Sequence, residues 1–291
     1  MFRSRHLAWL VVFLGVWLGL GPRGDAAPAA RPAAIVLTAF GTSTSAADTY
    51  QHVEALTRKR FPELEIRWAF TSQKVSKKVW EERRQQLRDL PQVLQDLKGA
   101  GFRRVAVQSL HVVPGAEWDE VVRQSRLVPG LTVALGRPLL SGPEDRERLL
   151  NVLAQDFPRS LKETAVVLVA HGSPTPAGEA AYLALEKLVR SRYPGQNVFL
   201  GTVQNQPSGE AALKAVQASG AAAVVFSPLL LVAGEHINKD IMGDDPESWK
   251  SRVAAGRPIK VRGSGRGLGY RDEIVKIYLD HLDEALKTLN P

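Results

Sequence analysis

An internal repeat is the feature of this chain that most restricts its possible folds. Four short landmarks of the first half return in the same order in the second half, and chance similarity between two halves rarely keeps four landmarks in order. The matched pairs are Phe40-Gly41-Thr42 with His171-Gly172-Ser173, Arg60-Phe61-Pro62 with Arg192-Tyr193-Pro194, Ala100-Gly101 with Ser219-Gly220, and Gly115-Ala116-Glu117 with Gly234-Glu235-His236. The repeat predicts two related lobes within the 291 residues.

Within each half, apolar strand-like runs alternate with stretches of helical periodicity. The predicted strands are Ala33–Ala39, Leu64–Phe70 and Arg104–Val113 in the first half, and Val166–Ala170, Val198–Val203 and the run opened by Gly220 in the second. The predicted helices are Ala46–Phe61, Trp80–Leu97 with an interruption near Pro91, Gly142–Phe157, Gly178–Tyr193, Gly209–Ala218 and Asp272–Leu289. Alternation of this kind is typical of parallel sheets flanked by helices.

The same alternation predicts where a ligand binds. Right-handed crossovers place the strand ends of each half on one edge of its sheet, and two such edges that face each other form a cleft. We therefore predict an α/β fold of two similar lobes, residues 33–160 and 161–291. A pseudo-twofold axis is expected to relate the lobes, with the binding cleft between them.

Residues 1–27 have the pattern of a secretory signal peptide. Arg3 and Arg5 precede the apolar run Leu7–Leu20, and small residues follow up to Ala27. The apolar run is short for a membrane span, and no later run is long enough. We expect an exported, periplasmic protein that is not an integral membrane protein, with an uncleaved anchor as the alternative.

The composition narrows the possible chemistry. The formal charge is +8, but the basic residues are scattered and no nucleic-acid motif accompanies them. We expect an anionic small ligand and no nucleic acid, with ordinary solvated lysines as the alternative explanation. The chain has no cysteine, so any metal site must use histidine, carboxylate, amide or water ligands.

Two histidines follow apolar runs in the second half. His171 comes directly after the run that ends at Ala170, and His236 follows the run that begins at Val224. Neutral imidazole binds divalent cobalt, nickel, iron and zinc, and is the commonest general base near neutral pH. The pair predicts a metal site at one sheet edge, where Gln204 could add an amide oxygen. A histidine that only supports the structure is the alternative for each of them.

The sequence also indicates where the other histidines and several acidic residues lie. Glu117 is the first-half counterpart of His236, so we expect it in the cleft. His52 and His281 lie on helical patterns and are expected to be surface or packing residues, while His111 is placed inside a strand. The acidic residues that follow His236 are either a solvated loop or a guide for an incoming cation.

These motifs resemble the class II tetrapyrrole chelatases, most closely the anaerobic sirohydrochlorin cobaltochelatases of the CbiK type. The resemblance covers nearly all of the chain after the predicted signal peptide. It is carried by Ile35–Thr42, Ala69–Ser72, Gln108–Glu117, His171-Gly172, Pro228–His236 and Asp244–Lys250.

The resemblance implies a chelatase-like fold in which a tetrapyrrole lies between the lobes and two histidines and a glutamate deliver a metal. The implied metal residues are His171, His236 and Gln204, which stands where the family has glutamate. The implied catalytic residues are His171 and Glu117. The residues implied for substrate binding are Phe40, Gly41, Thr42, Ser72, Leu230 and Val232. The implied reaction inserts cobalt ion (Co²⁺), or alternatively Fe²⁺, into sirohydrochlorin in anaerobic cobalamin biosynthesis.

The predicted export and the glutamine at position 204 leave other functions possible. An exported relative resembles the periplasmic branch of the family, which is associated with haem binding and tetramers, so haem is a further candidate ligand and a homo-oligomer is expected. An uncharged amide is a weaker ligand than a carboxylate, so Gln204 leaves a non-catalytic periplasmic carrier of haem or metal as the second function. A periplasmic solute-binding protein for another anionic ligand is the third.

Overall fold

The computed structural model describes residues 31–44, 48–234, 237–263 and 266–289. Its strands are β1 (Ala34–Ala39), β2 (Glu65–Phe70), β3 (Arg104–Ser109), β4 (Thr132–Gly136), β5 (Thr164–Ala170), β6 (Val198–Thr202), β7 (Ala223–Pro228) and β8 (Lys260–Gly263). They form two four-stranded parallel sheets with the orders β2-β1-β3-β4 and β6-β5-β7-β8. The two sheets have the same strand order, which agrees with the internal repeat, and the arrangement confirms the predicted α/β class.

Helices flank both sheets. They are α1 (Asp48–Arg60), α2 (Gln73–Arg83), α3 (Leu90–Gly99), α4 (Ala116–Gln124), α5 (Pro143–Ala154), α6 (Pro176–Arg192), α7 (Gly209–Ala218), α8 (Trp249–Ala254) and α9 (Asp272–Leu289). A short π-helix spans Ile237–Ile241 and a 3₁₀ turn spans Leu268–Tyr270.

Strands β1 and β5 are buried on both faces, and one hydrophobic cluster is common to the two sheets. Successive side chains of a strand point to opposite faces, so Ile35 and Leu37 of β1 join one cluster while Val36 joins another. Val166 and Leu168 of β5 belong to the same cluster as Ile35 and Leu37. The two sheets therefore share a core.

Helix α9 packs against the first sheet although it follows the second in the chain. It contacts β3 and β4 and buries an apolar face that includes Ile277 and Leu282. The buried hydroxyl of Tyr278 donates a hydrogen bond to the carbonyl oxygen of Leu110 at 3.1 Å. This helix belongs to the predicted second lobe, residues 161–291, yet its apolar face completes the core of the first sheet.

Each sheet has a fourth strand that the sequence pattern did not predict. β4 and β8 are edge strands whose residues are mostly exposed or half-buried, so neither has a long apolar run. Two other strands were predicted too long. β3 ends at Ser109 instead of Val113, and β7 ends at Pro228, which has no N–H to continue the ladder.

The single predicted helix Trp80–Leu97 is wrong, because two helices occupy this region. α2 begins at Gln73, where the Ser72 hydroxyl accepts a hydrogen bond from the backbone N–H of Val75 at 3.2 Å. α3 begins at Leu90 with Pro91 in its first turn. Proline suits the first turn of a helix, so it starts α3 instead of interrupting a longer helix.

The predicted signal peptide, residues 1–27, lies outside the described residues. Within the described ranges, no helix combines the length and the apolar character that crossing a bilayer requires.

Candidate active site

The carboxyl edge of the second sheet brings two of the predicted metal residues side by side. His171 follows β5, and its carbonyl oxygen accepts a hydrogen bond of 3.0 Å from the backbone N–H of Gln204, which follows β6. Gly172 has φ +93°, and a Cβ there would overlap the carbonyl oxygen of Gln204. Only glycine therefore lets the two chain segments approach this closely.

A turn after β6 holds the backbone of Gln204. The Thr202 side-chain oxygen lies 2.7 Å from the carbonyl oxygen of Gln204 and 3.0 Å from that of Pro207. The backbone N–H of Val203 donates to Ala170 at 2.9 Å. The side chain of Gln204 is exposed, so a well-positioned backbone presents its amide to the solvent side of the sheet edge.

The third predicted metal residue, His236, lies outside the described residues. The chain that leads to it is anchored, because Leu229 donates to the carbonyl oxygen of Val169 at 2.7 Å and Leu230 accepts from Leu268 at 2.8 Å. The predicted substrate residues Leu230 and Val232 are half-buried at this edge. Across the described ranges, no three histidine or acidic side chains are grouped so that they could hold a metal ion.

At the carboxyl edge of the first sheet, an aromatic side chain is exposed. Phe40 follows β1 directly and is 48% exposed, a high value for so apolar a residue. The backbone of Ser72 donates to the carbonyl oxygen of Phe40 at 3.1 Å. The Ser72 hydroxyl is buried in the cap of α2. The structure thus gives Ser72 a supporting position behind Phe40, while Gly41 and Thr42 continue the edge.

The two sheet edges meet where the loop after β3 contacts the loop after β5. A Cβ on Gly115 would lie 2.8 Å from the Ser173 hydroxyl oxygen. Gly115 precedes α4, whose first turn holds Glu117, and Ser173 is two residues from His171, so the two predicted catalytic residues lie close to this contact in the sequence. Glu117 is also close to Tyr182, whose pKa is raised by burial and secondly by the Glu117 charge.

His111 is a residue of this edge that the sequence interpretation missed. Because β3 ends at Ser109, His111 is not inside a strand but beyond its end. Its Nδ1 is 2.9 Å from Ser109 Oγ and its Nε2 is 3.2 Å from Thr71 Oγ1. Burial lowers the pKa of His111 to about 4, so the ring is neutral near pH 7. The internal repeat could have indicated this position, because it aligns His111 with Leu230, a predicted substrate residue.

Comparison with known proteins identifies the family. The model of the cobalt chelatase (CbiK) family matches residues 33–287. This chain belongs to the CbiK family. The sirohydrochlorin cobaltochelatase CbiKC of Nitratidesulfovibrio vulgaris is 37% identical over 264 residues, which cover 88% of this chain and 91% of that protein. The sirohydrochlorin cobaltochelatase of Salmonella typhimurium is 33% identical over 261 residues, or 87% of this chain and 96% of that protein.

Solved structures show that this chain has the chelatase fold. SirB from Bacillus subtilis with Fe³⁺ superimposes with a TM-score of 0.61 at 15% identity, covering 87% of this chain and 95% of SirB. SirB from Bacillus subtilis subspecies spizizenii in complex with cobalt gives 0.57 at 14% identity, covering 88% and 96%. At such low identity the likeness concerns the fold, and it confirms the predicted two-lobed chelatase architecture.

Proposed function

We propose that this chain is a sirohydrochlorin cobaltochelatase, which inserts Co²⁺ into the tetrapyrrole sirohydrochlorin in anaerobic cobalamin biosynthesis. The observation that carries the proposal is the match over nearly the whole chain to two relatives of that name, at 37% and 33% identity. The backbone contact between His171 and Gln204 at one sheet edge supports it, because it brings together two residue types whose side chains can bind a divalent ion.

The reaction exchanges a divalent metal ion for the protons of two pyrrole nitrogens. The protein must therefore hold the ion loosely, present it to the ring and accept protons. We assign His171 as a metal ligand and proton acceptor, His236 as the second ligand, and the Gln204 amide oxygen as a weak third. Open coordination positions are needed, because a closed ligand cage would retain the ion.

The residues at the two edges suit a flat ring with an acidic periphery. Phe40 offers an exposed aromatic face on which a macrocycle can stack. Leu230 and Val232 offer apolar contacts from the second sheet. Glu117, in the first turn of α4, is proposed to take up a proton on the opposite side of the cleft from His171.

We further propose that the protein is exported to the periplasm and forms a homo-oligomer. The charged and apolar pattern of residues 1–27 supports export, and the family match begins after it, at residue 33. The resemblance to the periplasmic branch supports the oligomer.

Anaerobic insertion of Co²⁺ into sirohydrochlorin tests the proposed activity through the decay of the free macrocycle's absorbance. We expect His171→Ala to lower the rate about 10²-fold or more, because a positioned base is worth roughly 10²–10⁴-fold. His52→Ala is the matched control. His52 pairs with Asp272 at 2.9 Å on the outside of α1, so this variant should react at the wild-type rate.

A wild-type protein that is no faster than His171→Ala would show that the enzyme proposal is wrong. The second candidate, a carrier of haem or metal, is favoured by one residue, Gln204, whose neutral amide weakens the metal site. A haem absorption band in the protein as isolated, without cobalt insertion, would support that candidate.

A further inference from the structure

The first lobe carries a segment that has no counterpart in the second. Residues 73–88, here called the strap, contain α2 and lie in the connection between β2 and α3. The equivalent connection between β6 and α7 is residues 203–208, without a helix. The strap is therefore a departure from the twofold symmetry of the molecule.

The strap is attached to the edge segment that follows β1. A Cβ on Gly41 would lie 3.3 Å from the Val75 side chain and 3.7 Å from that of Leu87. The Nη2 of Arg83 donates to the carbonyl oxygen of Ser43 at 2.6 Å. The strap thus borders Phe40, Gly41 and Thr42, the segment proposed to contact the macrocycle.

A cavity of about 470 Å³ separates the strap from the edge of β2 and reaches Thr42. Tyr50, Trp68 and Phe70 form an aromatic wall, with Tyr50 and Trp68 centroids 5.1 Å apart. The cavity is also lined by side chains that can donate hydrogen bonds: Gln51, Arg67, Arg83, Gln85, Gln86 and Arg88. A cavity with this lining suits a ligand that joins an unsaturated ring to an anionic group.

The acidic residues of the cavity already have partners. Glu54 accepts a hydrogen bond of 2.6 Å from the Trp68 indole and pairs with Arg58 at 2.7 Å, and Asp96 pairs with Arg88. Among the described residues, no carboxylate lies within ion-pair distance of Arg83. Its guanidinium is held by a neutral carbonyl group and retains donors for a carboxylate.

The strap as a whole is basic and weakly buried. It holds six basic and two acidic residues, a net charge of +4. Val79 is the buried residue of α2. Trp80 is 49% exposed, and the guanidinium of Arg84 lies 5.9 Å from the centroid of its ring. Such a surface attracts an anion with several charges.

We propose that the strap recognises the acidic periphery of the tetrapyrrole, and that Arg83 binds an acetate or propionate arm that enters the cavity beside Thr42. This inference rests on the proposed function, since sirohydrochlorin carries a carboxylate on each of those arms. The strap thereby selects a polycarboxylate macrocycle over one with an apolar periphery.

Equilibrium binding without metal tests the strap separately from catalysis. Sirohydrochlorin is titrated into wild type, Arg83→Gln and Arg190→Gln, and the dissociation constant is read from the macrocycle spectrum. Arg190, an exposed arginine of α6 that pairs with Glu186 at 2.6 Å, is the matched control. We expect Arg83→Gln to weaken binding about tenfold, the value of one charge-assisted hydrogen bond, and Arg190→Gln to bind as wild type.

Two further arms separate a lost contact from a damaged fold. Arg83→Lys keeps the charge without the planar fork and should recover part of the affinity. Octaethylporphyrin carries only ethyl groups on its periphery and no carboxylate, so its binding should be equal in wild type and Arg83→Gln. Equal sirohydrochlorin affinity in Arg83→Gln and Arg190→Gln, or an equal loss of affinity for octaethylporphyrin, would overturn the inference. Absence of cobalt insertion in the wild type, with Arg83-dependent binding intact, would instead reject the proposed activity alone.

Discussion

Gly172 and His111 determine the local chemistry at the two sheet edges. Gly172 removes a side chain that would overlap the Gln204 carbonyl, and so lets the backbone of His171 bond to the next strand's end. His111 bridges Ser109 and Thr71, and thereby links the ends of β3 and β2 across β1. Gly172 thus permits a close backbone approach, and His111 supplies hydrogen bonds, next to the proposed ligand positions.

The neutral ring of His111 should make stability depend on pH. Its folded-state pKa of about 4 lies below the ordinary 6.5. Between these values the unfolded chain binds a proton that the folded chain does not, so stability falls as pH drops from 6.5 towards 4. We expect this loss to be about 3 kcal/mol in urea unfolding of the wild type and to be largely absent in His111→Asn. An equal slope in both proteins would contradict the assignment.

At the scale of elements, α9 is joined to its neighbours by polar contacts as well as by its apolar face. His281 is buried, with Nε2 3.0 Å from Asp145 Oδ1 of α5 and Nδ1 3.0 Å from the carbonyl oxygen of Arg137. Asp280 bonds to Arg60 and to Arg148, both at 2.6 Å. The helix is therefore positioned in direction and register against α1 and α5.

Removal of the His281 imidazole should destabilise the protein markedly. In His281→Leu the buried Asp145 carboxylate loses its partner, and breaking a buried pair of this kind costs about 3 kcal/mol or more. Urea unfolding at pH 7 measures the loss. The control is His52→Leu, which breaks a more exposed pair with Asp272 and should cost under about 1 kcal/mol. Similar losses in the two variants would show that burial of the Asp145 pair is unimportant.

Elements with strong periodicity were predictable, and elements at the edges were not. The predicted bounds of α7 and α9 agree with the structure because both have a clear apolar face. β4 and β8 were missed because edge strands have exposed residues. The strap helix was misplaced because its start depends on the Ser72 cap, a single local hydrogen bond from Val75 that has little weight in a periodicity pattern. His111 was missed for the related reason that a strand's end depends on ladder partners.

For the whole molecule, the shared core and the loop contact make the two lobes one folding unit. Ile35 of the first sheet and Val166 of the second lie in one hydrophobic cluster. Gly115, Ser173 and Gly178 meet where the lobes touch, and a Cβ on Gly178 would overlap the Ser173 hydroxyl and lie 3.1 Å from the Cα of Gly115. The two lobes therefore approach so closely at Gly178 that no side chain fits there without displacing its neighbours.

Gly178→Ala should disturb both stability and activity through this contact. The added methyl group has to push the Ser173 and Gly115 loops apart, which typically costs about 1–3 kcal/mol. The same displacement moves the loop that carries His171 and the start of α4, which carries Glu117, so the rate of cobalt insertion should fall as well. Gly99→Ala is the control, because a Cβ at Gly99 meets nothing within 4 Å. Unchanged melting temperature and rate in Gly178→Ala would show that the contact is looser than described.

The position of α9 also sets the order in which the molecule can be completed during synthesis. Tyr278 and Leu282 complete the core against β3 and β4, yet the ribosome makes them only after the entire second sheet. Until then, the part of the first sheet that α9 covers, at β3 and β4, is exposed in the nascent chain. Completion of the first lobe therefore waits for α9, and chaperone contacts with this face are expected to persist until α9 has been made.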